Sequence, residues 1–154
     1  MTDSDEASYA DLGNAGLEHL LPVVHGMGVR FTESEPGRCV AVVPIEGNGN
    51  HFGAMYAGVL FTVGEVLGGG LAISTFDSSA YYPLVKGLDI RFLKPATTDI
   101  TATASIDPDT VAKVTAMAEE NGKADFVLEA ELTDTNGVVV ARTVGDYQLR
   151  SIGR

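Results

Sequence analysis

A lone carboxylate, Glu65, stands in the middle of an apolar, glycine-rich stretch from Phe52 to Phe76 that contains no Lys or Arg. Burying a carboxylate without a cationic partner is costly, and desolvation raises its pKa unless hydrogen bonds or a helix terminus hold the charge. A group kept there against that cost is a candidate for chemistry. The residues leading up to it are Asn50, His51, Phe52, Gly53, Ala54, Met55, Tyr56, Ala57 and Gly58. If a helix begins near Tyr56, the backbone amides of Ala57 and Gly58 fall in its first turn and have no intrahelical partner. They can then donate to a substrate oxygen, and a developing oxyanion there also feels the positive end of the helix dipole.

The elements that must hold these groups can be read from periodicity. A short amphipathic helix is expected from about Tyr9 to Leu21, with Leu12, Leu17, Leu20 and Leu21 on one side. Val29 to Thr32 and Cys39 to Ile45 read as strands joined by a turn at Glu35, Pro36 and Gly37. From Tyr56 to Phe76 the apolar surface runs nearly all the way round, as expected for a helix enclosed by the fold. Gly58, Gly64, Gly68, Gly69 and Gly70 each cost about 1 kcal/mol relative to Ala in a helix interior, so close packing of a sheet against those positions is expected. After a loop at Asp77 to Pro83, Gly87 to Lys94 and Asp99 to Ile106 alternate like strands, with a turn at Lys94, Pro95 and Ala96. Asp107 is placed to N-cap a helix with Pro108 at its first position, ending near Gly122. Ala124 to Thr133 and Val138 to Leu149 form a hairpin across Asn136 and Gly137. That order predicts an α+β fold with an antiparallel sheet.

The pattern Asn50, two residues, Gly53, two residues, Tyr56, Ala57, Gly58, then Glu65 after six more resembles the active-site signature of hotdog-fold acyl-CoA thioesterases, particularly the phenylacetate-pathway branch. In that branch the His, Gly, Gly of the motif correspond to Tyr56, Ala57 and Gly58, so two positions depart from it. A tyrosine hydroxyl can still donate, and Ala57 keeps its N–H while adding a methyl group beside the oxyanion site. The resemblance implies an antiparallel sheet wrapped around a long central helix, assembled as a homodimer or a dimer of dimers with the active site at a subunit interface. It implies Glu65 as nucleophile or general base, Asn50 orienting the water or the carbonyl, and the Ala57 amide as oxyanion donor. The substrate would be a small or medium acyl-CoA, with coenzyme A part of the substrate and no separate cofactor. A second resemblance, to hotdog 3-hydroxyacyl dehydratases, rests on His51 and Glu65 with thirteen residues between them and on Gly58, Val59 and Leu60. The third reading is a non-catalytic acyl-thioester-binding module on the same scaffold. Arg91 and Lys94, near the end of a strand, could meet coenzyme A phosphates, with Arg142 and Arg150 as weaker candidates, and His51 and Gly53 would border the substrate. Taken alone, Asn50 also suits a turn after Gly47, Asn48 and Gly49, and His51 a cap or a solvent-facing position.

Composition bounds the rest. The 154 residues, 45% hydrophobic, suit one domain from residue 9 onward, preceded by a flexible acidic segment over residues 1–8. A net charge of −11 opposes nucleic acid and anionic membranes. The Phe52 to Phe76 run is long enough to raise the question of a membrane span, but Glu65 at its centre and the absence of Lys or Arg anchors favour a core helix. An acidic start is unlike a secretory signal, and the single cysteine, Cys39, suits a reducing cytoplasm and core packing. His19 and His25 have no metal-ligand spacing with other groups, so no metal is expected.

Overall fold

The computed structural model describes residues 6–153. Residues 1–5 of the segment expected to be flexible lie outside the described residues, whereas Ser8 caps helix α1 (Tyr9–Leu20). The cap is reciprocal: the Asp11 N–H donates to the Ser8 hydroxyl and the Ser8 N–H to the Asp11 carboxylate, each at 3.1 Å. A short second helix, α2 (Pro22–Gly26), follows at once, opened by Pro22 where a missing N–H costs nothing. Of the four leucines expected on one side of α1, only Leu17 is buried; Leu12, Leu20 and Leu21 are exposed. The small face of α1 makes the contact instead. Gly13 packs on the Phe31 ring, and the Asn14 side chain takes both backbone groups of Phe31 at 2.7 and 2.9 Å.

Strands β1 (Arg30–Glu35) and β2 (Arg38–Val43) form the expected hairpin, with Gly37 at φ +84° in its turn. Helices α3 (Ala57–Glu65) and α4 (Leu67–Thr75) follow as two nearly continuous halves of the central helix. Then come β3 (Tyr81–Phe92), β4 (Ile100–Ser105), helix α5 (Pro108–Asn121), β5 (Lys123–Thr133) and β6 (Val139–Ser151). The six strands form one antiparallel sheet in the order β1-β2-β4-β5-β6-β3. This is the α+β hotdog arrangement, with a central helix against one face of the sheet. Strand β3 starts at Tyr81, inside the segment expected to be a loop. Pro83 is compatible with a strand there because β3 lies at the sheet edge, where a residue without an N–H need not break a ladder.

The core joins helix to sheet through Val63, Leu67 and Leu71, which meet Cys39, Val43, Ile100 and Leu132, all fully buried. The glycines let the two surfaces approach. A Cβ at Gly64 would lie 2.7 Å from Thr143 Cγ2, one at Gly68 would collide with the Tyr147 ring, and one at Gly70 would strike Phe31 and Cys39. Close packing therefore accounts for three of the five glycines expected to need it. Burial also pushes the Cys39 thiol up to about 12, which leaves it an inert packing group. The central helix is not enclosed all round, as its composition suggested. Ala57 and Phe61 are exposed and Gly58, Thr62, Glu65, Gly69 and Ile73 half-buried, forming one stripe that the sheet leaves uncovered.

Candidate functional site

The segment before α3 is a pinned loop. The buried Asn48 side chain donates to the carbonyls of Met27 and Pro44 at 2.7 and 2.8 Å, and Met55, also buried, donates its N–H to Ala96 at 2.7 Å. Asn50 closes the turn between them. Its side-chain oxygen accepts from the amides of Phe52 and Ala54 at 2.9 and 3.2 Å, and its own N–H donates to the Ala54 carbonyl. Gly53, at φ +78°, makes that turn possible. Asn50 therefore shapes the loop through its oxygen, while its side-chain NH2 makes no hydrogen bond among the described residues. Neither Asn48 nor Met55 stood out in the sequence as a pin, since a turn composition conceals which residue is buried.

Tyr56 is the N-cap of α3, its backbone held by the Asn48 carbonyl at 2.8 Å and its ring exposed. The ring folds over Gly58, where a Cβ would sit 2.7 Å from Tyr56 Cε1. The amides of Val59 and Leu60 turn back to the Tyr56 carbonyl, whereas those of Ala57 and Gly58 have no backbone acceptor among the described residues. The two donors expected at the helix N-terminus are thus available, aligned with the dipole. His51 lies exposed in the turn, its ring 3.9 Å from that of Phe52, and has no contact with Glu65 among the described interactions.

Glu65 is the last residue of α3 and half-buried. It belongs to none of the four ion pairs found among the described residues, and burial holds its carboxyl above the ordinary range. Directly beneath it lies Tyr147 of β6, buried, whose hydroxyl donates to the Glu65 main-chain carbonyl at 2.9 Å. Its ring fits because Gly68 and Gly145 offer no side chain, and it stacks on Phe126 at 5.5 Å. A side-chain donor entering the helical ladder explains why the helix is interrupted at Val66. Burial, and then the nearby Glu65 charge, push the Tyr147 phenol well above its usual value, so it remains a neutral donor. The sequence did not point to Tyr147, whose alternation matches any core aromatic.

Gly58 and Glu65 are seven residues apart, so they share one helical face but are separated by roughly 10 Å along the axis. Along the helix axis of one protomer, the Glu65 backbone therefore stands about two turns from the Gly58 amide. Arg91 lies on the opposite face of β3 from Ile90, which packs on the core, and its guanidinium pairs with Asp89 at 3.1 Å. Arg142 faces the same way and pairs with Glu131 at 3.5 Å, while Lys94 and Arg150 are exposed. The fold thus gathers Asn50, Gly53, Tyr56, Ala57 and Gly58 at one end of the central helix, sets Glu65 two turns along, and leaves Arg91 and Arg142 on the far side of the sheet.

Three comparisons bear on this arrangement. A family model described as a domain of unknown function, DUF4442, matches residues 11–147. None of the curated proteins matches the chain. Among solved structures, a Pseudomonas aeruginosa protein of unknown function, described as a probable thioesterase, is 42% identical over 92% of this chain and 95% of its own, with TM-score 0.86. A Chlorobaculum tepidum protein of unknown function is 18% identical over 93% of this chain and 94% of its own, also with TM-score 0.86. A Haemophilus influenzae thioesterase is 12% identical over 97% and 94%, with TM-score 0.75; at such identities these last two share the fold alone. With its model spanning nearly the whole length, the chain belongs to the DUF4442 family, a domain of unknown function.

Proposed function

We propose that the protein is a thioester hydrolase acting on acyl-CoA, of the kind exemplified by the phenylacetate-pathway thioesterases, with Glu65 as the general base or nucleophile. The observation that carries the reading is Glu65 itself, a half-buried carboxylate with no cationic partner among the described residues, its pKa raised by desolvation. The Pseudomonas aeruginosa relative described as a probable thioesterase supports it. In the general-base form, the ionised carboxylate takes a proton from water as the water oxygen attacks the thioester carbon. The resulting oxyanion accepts hydrogen bonds from the Ala57 and Gly58 amides, then collapses to the carboxylic acid as the thiolate of coenzyme A leaves and takes up the proton. This chemistry needs no cofactor.

The 10 Å offset between Gly58 and Glu65 is resolved if two copies pair, so that the helix N-terminus of one protomer faces Glu65 of its partner. Strand β3 supports that pairing: it is a twelve-residue edge strand exposing Tyr82, Leu84, Val85 and Phe92, a surface that invites a second strand. The test is thiol release from a panel of acyl-CoAs by the wild type, Glu65→Ala and Glu65→Gln. Wild-type turnover that falls at least a hundredfold in both variants is expected, with circular dichroism unchanged. Equal turnover in Glu65→Ala would refute the assignment, and ligand binding without thiol release by the wild type would make the protein a binding module.

A further inference from the structure

A groove of about 450 Å³ opens between α1 and the second half of the central helix. Leu17, Leu20 and Leu21 line it from one side, Val66 and Ile73 from the other, and among the described residues no charged or hydrogen-bonding side chain lines it. Two more lining residues, Gly16 and Gly69, are helix-interior glycines, which weaken a helix relative to alanine. Gly64, Gly68 and Gly70 have packing reasons to lack a side chain. A Cβ at Gly16 or Gly69 meets nothing within 4 Å among the described residues, so no packing contact there demands a glycine at either place. What both do is keep the groove open. Its near end comes within one helical turn of Glu65, because Gly69, which lines it, lies four residues on from Glu65 and on nearly the same face.

We propose that this groove holds the aliphatic acyl chain of the thioester substrate, with Gly16 and Gly69 setting how long a chain it admits; this rests on the hydrolase reading above. A carbonyl held at Glu65 places its attached chain at the mouth of the groove, and a lining without donors suits methylenes and not the phosphates of coenzyme A. Each methylene moved from water into such a lining raises kcat/KM about fourfold when it contributes in the transition state.

Straight-chain acyl-CoAs from acetyl to dodecanoyl, assayed by thiol release, test this with the wild type, Gly16→Leu and Gly69→Ala. Wild-type kcat/KM is expected to climb with chain length to an optimum. Gly16→Leu should move that optimum to shorter chains, with at least a tenfold loss at the wild-type optimum, and Gly69→Ala should move it less in the same direction. Sedimentation and thermal melting accompany each variant, and Gly69→Ala, which adds one methyl in open space, keeps the test valid if Gly16→Leu fails to fold. A wild type inactive on every acyl-CoA sinks the hydrolase reading. A wild type that hydrolyses them with an optimum unmoved in both variants overturns the groove assignment alone. An unmoved optimum with an altered oligomeric state in Gly16→Leu also overturns it, and gives the groove to a second copy of the chain.

Discussion

Glu65 ends α3 because Tyr147 takes its carbonyl, so the same tyrosine that interrupts the helix fixes where the carboxylate leaves it. Tyr147→Phe keeps the stacking ring and loses only the donor. We expect kcat to fall about tenfold with KM nearly unchanged and the acid limb of the pH profile displaced, since the phenol touches the backbone of the base and not substrate; parallel changes in kcat and KM would contradict a positioning role. Burial raises the Glu65 pKa in the folded state, so between its ordinary and its raised value the folded chain binds more protons than the unfolded one. Stability therefore falls as pH rises through that window, while the base becomes active. Glu65→Gln is expected to melt higher than wild type once pH exceeds the raised value, by roughly 2 °C or more, and to match it below the ordinary carboxylate range. Glu65 was legible in the sequence because one charge in an apolar run stands out locally. Tyr147 was not, since its partner lies 82 residues away and its own neighbourhood alternates like any core strand.

At the scale of elements, what could be read early was what local chemistry decides. The Glu35, Pro36, Gly37 turn, the Asp107 cap with Pro108, and the hairpin across Gly137 all form where expected, because each is set by a few adjacent residues. The misread elements depend on tertiary partners: β3 extends through Pro83 because it sits at an edge, and α1 leaves Leu12 and Leu20 exposed, keeping only Leu17 buried, because Asn14 binds Phe31. The glycines of the central helix separate the two kinds of cause. Gly68→Ala drives a methyl into the Tyr147 ring and is expected to destabilise by about 1–3 kcal/mol in denaturant unfolding. Gly69→Ala, one residue on, meets open space and should stabilise by about 0.5–1 kcal/mol. The same sign for both would mean that helix propensity and not approach to the sheet governs this helix.

The whole molecule adds a constraint that neither residues nor elements contain. Donors at Ala57 and Gly58 and a base at Glu65 are legible as a set in the sequence, yet helical rise sets them roughly 10 Å apart in one chain. A composite site predicts complementation between inactive variants. Ala57→Pro removes the proposed donor at the first helical position, where proline is well accepted, and Tyr56 at φ −59° and ψ 136° already has the extended conformation that a following proline requires. Ala57→Pro and Glu65→Ala are each expected to be folded and to lose at least a hundredfold in kcat. Mixed after unfolding and refolding together, half the dimers pair one of each. Every such dimer holds one site with an intact amide from the Glu65→Ala chain and an intact carboxylate from the Ala57→Pro chain, so activity should return to about a quarter of wild type. If donor and base instead act within one chain, every site in the mixture lacks one of them and the refolded sample stays as inactive as its parents.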